Sequence, residues 1–292
     1  METWMITGTT GFLGSRIAET LKKDPEKRVL AIPRQEMDFT RQEDVVRAFE
    51  KYRPDVLVHS AAQADTGICE RNPETTEKIN VEGVRYLAKE AGELGCKMIF
   101  MSSDQVYTGT KGNILHLESE SLSPINVYGR QKLRAEELVD QYTNDGVSLR
   151  LTWMYDLPDG KLPIKPNFVL NLLELIRRGG IQEVSSRDYR SVTDGKLVAD
   201  NIGKCRNLPK GSYNFGSSNK KSFFETTGAV LELLGKAPEQ YLRETVVERN
   251  LSINIGKIEQ QGLHFPDTME GVRNCLKASP ALAEKGWLQN FV

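Results

Sequence analysis

The stretch Trp4-Met5-Ile6-Thr7-Gly8-Thr9-Thr10-Gly11-Phe12-Leu13-Gly14 decides the fold. Trp4 to Thr7 reads as a short strand, and Phe12 to Leu21 reads as a helix. Between them, Gly8-x-x-Gly11-x-x-Gly14 lets the backbone turn sharply and approach a pyrophosphate closely. The free N–H groups at the helix N-terminus then face that anion. An ordinary strand–helix turn can share this spacing. Its place at the first βα turn favours the binding of a dinucleotide.

Downstream, short apolar runs alternate with helical stretches. Val29-Leu30-Ala31-Ile32, Val56-Leu57-Val58, Met98-Ile99-Phe100-Met101 and Val147 to Trp153 read as further strands. Thr40-x-x-Glu43 has the form of a capping box for a helix to about Tyr52. Asn72-Pro73 reads as an N-cap with proline at the first helical position, opening a helix to about Leu94. A long helix is expected from about Asn126 to Tyr142. The strands are continuously apolar, which suits a parallel sheet covered on both faces. The expected fold is therefore α/β, a doubly wound parallel sheet.

After Trp153 the rhythm breaks. Prolines 158, 163 and 166 mark a loop, Asn167 to Arg178 reads as a helix, and Ser222-x-x-Glu225 is a second capping box. A smaller, irregular C-terminal substrate lobe is expected. The boundaries read as 1–156 and about 187–205 for the cofactor domain, and about 157–186 and 206–292 for the lobe.

Composition narrows the function. Lys plus Arg is 39 and Asp plus Glu is 40, a net charge of -1, which gives no electrostatic reason to expect nucleic acid or an anionic membrane. No apolar run is long enough to span a bilayer, and strand-like sequence begins too early for a secretory signal. Cys69, Cys96, Cys205 and Cys275 form no C-x-x-C pair and read as reduced thiols of a cytoplasmic protein. The three histidines have no ligand-like spacing, so no metal is expected.

Two further features carry chemistry. Tyr128-x-x-x-Lys132 lies on one face of the long helix, where an ammonium can lower the pKa of a phenol. Ser102-Ser103-Asp104 follows the fourth strand, at the sheet end where ligands of such folds bind. Each is weak alone. In this order, after a glycine turn, they resemble the extended short-chain dehydrogenase/reductase superfamily, and most closely its dTDP-4-dehydrorhamnose reductase branch. His59-Ser60-Ala61-Ala62, Glu70-x-x-Pro73 followed by Asn80, Ser102-Ser103-Asp104-x-Val106-Tyr107, and Pro124-x-Asn126-Val127-Tyr128-Gly129-x-x-Lys132 carry the resemblance along with the glycine turn.

The resemblance implies a Rossmann-type fold and an NAD(P)H-dependent reductase of a nucleotide-diphosphate 4-keto sugar. Tyr128 would protonate the carbonyl oxygen, Lys132 would lower the pKa of Tyr128 and bind the nicotinamide ribose, and Ser103 would hydrogen-bond the carbonyl. Cofactor contacts would come from Gly8, Thr10, Gly11, Phe12, Leu13, Gly14, Arg34, Asp38, Phe39, Ser60, Ala61, Ala62 and Asn80, together with Tyr128 and Lys132. Asp104, Gln105 and Trp153 would join Ser103 in holding the substrate. A homodimer is expected by analogy with the superfamily.

Where an NAD-preferring fold places a carboxylate, at the end of the second strand, this chain has Pro33-Arg34. Arg34 could pair with a 2′-phosphate, which favours NADPH over NADH; Glu36 could instead supply the acid. The chain departs from the family at Gln105, Gly67-Ile68, Val192 and Asn250, all near the substrate side. Two alternatives follow: a cofactor-binding regulatory subunit without turnover, like that of methionine adenosyltransferase, or a nucleotide-sugar epimerase.

Overall fold

The computed structural model describes residues 1–279. The strands run β1 (Glu2–Thr7), β2 (Lys27–Ala31), β3 (Val56–His59), β4 (Lys97–Ser103), β5 (Val147–Leu151), β6 (Trp153–Tyr155), β7 (Gln182–Ser185), β8 (Asp188–Arg190), β9 (Val192–Asp194), β10 (Gly211–Phe215), β11 (Leu242–Thr245) and β12 (Arg249–Leu251). The helices are α1 (Phe12–Leu21), α2 (Gln42–Tyr52), α3 (Thr66–Arg71), α4 (Pro73–Glu77), α5 (Gly83–Leu94), α6 (Val127–Tyr142), α7 (Phe168–Arg178), α8 (Gly195–Ile202), α9 (Phe223–Leu233), α10 (Gly256–Glu259) and α11 (Thr268–Ala278).

Six strands form one parallel sheet in the order β10-β5-β4-β3-β1-β2. Side chains alternate along each strand, so an unbroken apolar run feeds two cores. Trp4 and Ile6 of β1 pack with Ile17 of α1 and Val198 and Ile202 of α8. Met5, between them, packs on the opposite face with Phe49 of α2, Leu87 of α5 and Val139 of α6. The doubly wound α/β reading is what the chain adopts. Strand order reverses between β1 and β3, and ligands of open α/β sheets bind at such a switch point. The glycine turn follows β1 there, and Ser60 to Ala62 follow β3.

Several local readings need correction. Val147 to Trp153 is not one strand: β5 ends at Leu151, and Trp153 pairs with Val192 of β9. The hydroxyls of Thr152 and Thr193 lie 2.5 Å apart at this crossing from sheet to lobe. Thr40 forms no capping box, because its hydroxyl donates to Asp38 Oδ1 at 2.7 Å and α2 starts after Arg41. The helix opened by Pro73 reaches Leu94 through a π turn at Lys78–Glu82. Ser222 and Glu225 do form their box at the start of α9.

The sixth strand, β10, lies in the stretch that the sequence reading gave to the lobe; it pairs with β5 in parallel. The lobe's own core joins Phe168, Val169 and Leu172 of α7, Phe223 and Val230 of α9, and Tyr155 of β6. Residues 280–292, the last of the expected lobe, lie outside the described residues.

Candidate active site

A cleft of about 550 Å³ opens along the C-terminal ends of the central strands, between the sheet and the lobe. Its floor is the glycine turn. Gly8 has φ +74°, which suits glycine, and a Cβ there would lie 2.7 Å from Ala61 N. A Cβ on Gly14 would lie 2.2 Å from Gly8 O and 2.6 Å from Ser60 Oγ, so the third glycine lets α1 pack onto the turn. At Gly11 a Cβ would meet Gly8 O alone, at 3.2 Å, and would otherwise enter the cleft. Gly11 caps α1 without a side-chain hydrogen bond to the first-turn amides. A backbone cradle with free amides fits the pyrophosphate of a dinucleotide.

Across from the cradle, β4 delivers Ser102 and Ser103. Ser102 is committed elsewhere: its hydroxyl donates to Glu136 Oε1 at 2.5 Å, within the buried Glu136–Arg150 ion pair. Ser103 Oγ donates to Asp104 Oδ1 at 3.2 Å and accepts from Gln105 N at 3.2 Å. Asn126 caps α6 by accepting from Gly129 N at 2.6 Å, which sets the register that turns Tyr128 and Lys132 to the cleft. Lys132 Nζ donates to Met101 O at 2.7 Å and sits 4.5 Å from the Phe100 ring centroid.

The electrostatics overturn one expectation. Lys132 was expected to pull the Tyr128 phenol down. Burial, helped by the Asp104 carboxylate, instead pushes Tyr128 up, with the Ser103 hydroxyl acting the other way. Burial also lowers Lys132 to about 7 and raises Asp104 to about 7. A phenol held above its ordinary value is protonated at neutral pH and can act as a proton donor. His59 backs the site from below. Its Nδ1 lies 2.7 Å from Thr7 Oγ1, its ring stacks on Phe100, and burial and Lys132 lower its pKa to about 3, so it stays neutral.

Gly8, Gly11, Phe12, Leu13, Gly14, Ser60, Ala62, Ser103, Asp104, Gln105, Tyr128, Lys132 and Trp153 come together around this cleft. Other expected cofactor contacts do not line it. Asn80 is buried behind the wall, holding Gln63 N, Gln63 O and the Gln131 side chain at 2.9, 3.0 and 2.9 Å. Phe39 packs edge-on to His59, and its ring fills the space where a Gly83 Cβ would stand. Ala61 contributes its backbone beneath Gly8, and Thr10 is an exposed turn residue. Arg34 is exposed past the end of β2, paired with Asp38 at 3.1 Å. Glu36 turns away to Lys51 at 2.9 Å, leaving Arg34 as the charge beside Pro33.

On the lobe side, Trp153 packs against Phe168 and Phe223 while lining the cleft. Sequence reasoning missed Arg190 and Arg249. Both line the cleft, and both pair with Asp188, Arg249 at 2.6 Å. Their segments were visible in the sequence; their convergence needs the parallel pairing of β8 with β12. Thr66 and Lys165 were also missed. Among the described residues no cluster of His, Cys, Asp or Glu could hold a metal, and no helix is long and apolar enough to cross a membrane.

Comparison with known proteins places this geometry. The family described as RmlD substrate binding domain matches residues 2–251. The chain is 28% identical over 280 residues to the spore coat polysaccharide biosynthesis protein SpsK of Bacillus subtilis, covering 94% of this chain and 96% of that one. It is 28% identical over 259 residues to the dTDP-4-dehydrorhamnose reductase of Escherichia coli, covering 82% and 84%. Its fold is similar to a crystal structure of dTDP-4-dehydrorhamnose reductase from Bacillus anthracis in complex with NADP, with a TM-score of 0.84, 21% identity and coverage of 95% and 99%. It is also similar to the ADP-L-glycero-D-manno-heptose-6-epimerase of Helicobacter pylori, with a TM-score of 0.77, 24% identity and coverage of 94% and 95%.

Proposed function

The chain belongs to the RmlD substrate binding domain family, within the extended short-chain dehydrogenases/reductases, and is an NAD(P)-dependent oxidoreductase of that type; from this premise we propose that it reduces a nucleotide-diphosphate 4-keto sugar with NADPH. The observation that carries this reading is the convergence of a glycine cradle, a protonated buried phenol, a lysine and a serine hydroxyl on one cleft.

The Gly8–Gly14 cradle would hold a dinucleotide, which would supply the hydride. Tyr128 holds the proton that the carbonyl oxygen needs, and burial keeps it there at neutral pH. Positioned proton donation of this kind contributes about 10²–10⁴ in rate. Ser103 offers a hydroxyl to the same oxygen. Lys132, fixed by Met101 O, places Nζ beside the Tyr128 ring, at 5.8 Å from its centroid, and burial lowers it to about 7, so that it is divided between ammonium and amine at neutral pH. Arg190 and Arg249 complement an anionic substrate on the lobe side, and Trp153 offers an aromatic face to a sugar. Arg34 stands next to Pro33, where an NAD-preferring fold places its carboxylate, and Glu36 turns away to Lys51; although Arg34 pairs with Asp38, its place supports NADPH over NADH. NADP in the related B. anthracis structure supports the same choice.

An epimerase returns its hydride within each turnover and consumes no NADPH. The test is a panel of 4-keto nucleotide sugars followed at 340 nm, with product analysis. One NADPH oxidised per sugar reduced is the expected result. Interconversion of sugars without NADPH loss would replace the reductase reading with the epimerase.

A further inference from the structure

We propose that Lys165 is a phosphate-binding residue, carried on a fixed strap across the glycine cradle, where it grips the diphosphate of the dinucleotide. This inference rests on the dinucleotide reading above.

The strap is the segment of residues 156–167 that joins β6 to α7. It lacks regular structure, yet it is pinned to the cofactor domain. Arg16 of α1 donates from Nε to Asp156 Oδ2 at 2.8 Å and from Nη1 to Pro163 O at 3.0 Å. The same Nη1 donates to Phe12 O at 2.6 Å, so the strap and the first turn of α1 share one guanidinium. Asn167 Nδ2 donates to Asp156 O at 2.9 Å and to Lys165 O at 3.2 Å. Carbonyls on either side of the Lys165 stem are thus held, and Pro163 and Pro166 restrict the backbone between them. A lysine on such a backbone adds no backbone ordering cost when it meets an anion, only that of its own side chain.

Its charge is also uncommitted. Arg16 and Lys196 both meet Asp156, at 2.8 and 3.3 Å. Lys165 makes no ion pair among the described residues; its ammonium lies 5.4 Å from the centroid of the Phe12 ring, at the first position of α1. It lines the same cleft as Gly8, Gly11 and Leu13. One unpaired cation and the uncapped amides of α1 therefore border one volume, and a diphosphate is the ligand class that uses both.

The cleft could offer this cation to either of two diphosphates, that of the dinucleotide or that of the nucleotide sugar. Its place over Phe12, at the first position of α1, assigns it to the dinucleotide. The test titrates NADPH by fluorescence and thymidine diphosphate by calorimetry on the wild type, Lys165→Gln, Lys165→Arg and Lys161→Gln. Lys165→Gln should weaken NADPH roughly tenfold and flatten its salt dependence. Lys165→Arg should stay within about threefold of wild type, because the charge is kept. Lys161→Gln, on the same strap but not lining the cleft, should change nothing, and thymidine diphosphate should bind all four alike. NADPH binding to Lys165→Gln as tight as to the wild type would overturn the proposal and leave the dinucleotide reading standing. A loss confined to thymidine diphosphate would overturn it in favour of the substrate. A wild type that binds no NADPH would remove both readings together.

Discussion

Burial raises both Tyr128 and its neighbour Asp104 above their ordinary values. For Asp104 this has a measurable consequence. Its carboxyl titrates near 7 in the fold against an ordinary 3.8, so the folded chain holds a proton that the unfolded chain has released. Stability contributed by this residue therefore falls as pH rises from about 4 to about 7, and the deficit is constant above. Asp104→Asn keeps an oxygen for Ser103 and Gln105 and removes the deficit. It should raise the melting temperature by roughly 3–8 °C at pH 8, with the gain vanishing near pH 4. Equal melting temperatures at both pH values would show that the carboxyl is not desolvated. The pair Tyr128 and Lys132 was legible because four residues is one helical turn. The direction of the Tyr128 shift was not, since burial and the Asp104 neighbour come from tertiary packing.

At the scale of elements, the first βα turn separates folding from binding. Gly14→Ala would drive a methyl against Gly8 O and Ser60 Oγ, both within the packed turn. Gly11→Ala meets a single backbone oxygen and otherwise enters the cleft. Gly14→Ala should therefore lower the melting temperature by several degrees, on the order of 1–3 kcal/mol of overpacking. Gly11→Ala should melt near the wild type and weaken NADPH by about tenfold or more, measured by titration. The reverse pattern would mean that the cradle is not where the ligand lies. This turn and α1 were readable from residue types, because glycine spacing and a strict apolar run are local signals. The failed box at Thr40 shows the limit. Asp38, two residues before, took the threonine hydroxyl, and local sequence offered both bonds.

Across the whole molecule, the site needs two bodies of chain. The central sheet and its helices contribute the cradle and the serine, tyrosine and lysine; β6, β8 and β12, outside that sheet, contribute Trp153, Arg190 and Arg249. Separating these contributions is the prediction at this scale. Arg249→Gln should raise the KM for the nucleotide sugar about tenfold and leave NADPH affinity unchanged. An equal loss for both ligands would mean that the two halves do not divide the work in this way. The lobe was the least legible region. Its strands are short, they pair in parallel across long loops, and β10 returns to the central sheet with Gly211 opposite Val147, 64 residues earlier. Long-range pairing of that kind leaves no periodic mark in the chain.

The most direct measurement compares NADPH oxidation by the wild type and Tyr128→Phe on a 4-keto nucleotide sugar, with NADPH affinity measured in parallel. The account predicts turnover by the wild type, a loss of about 10²–10⁴ in Tyr128→Phe, and NADPH binding within a few-fold of wild type in both. Turnover surviving in Tyr128→Phe, or NADPH bound by the wild type without oxidation on any such sugar, would contradict it.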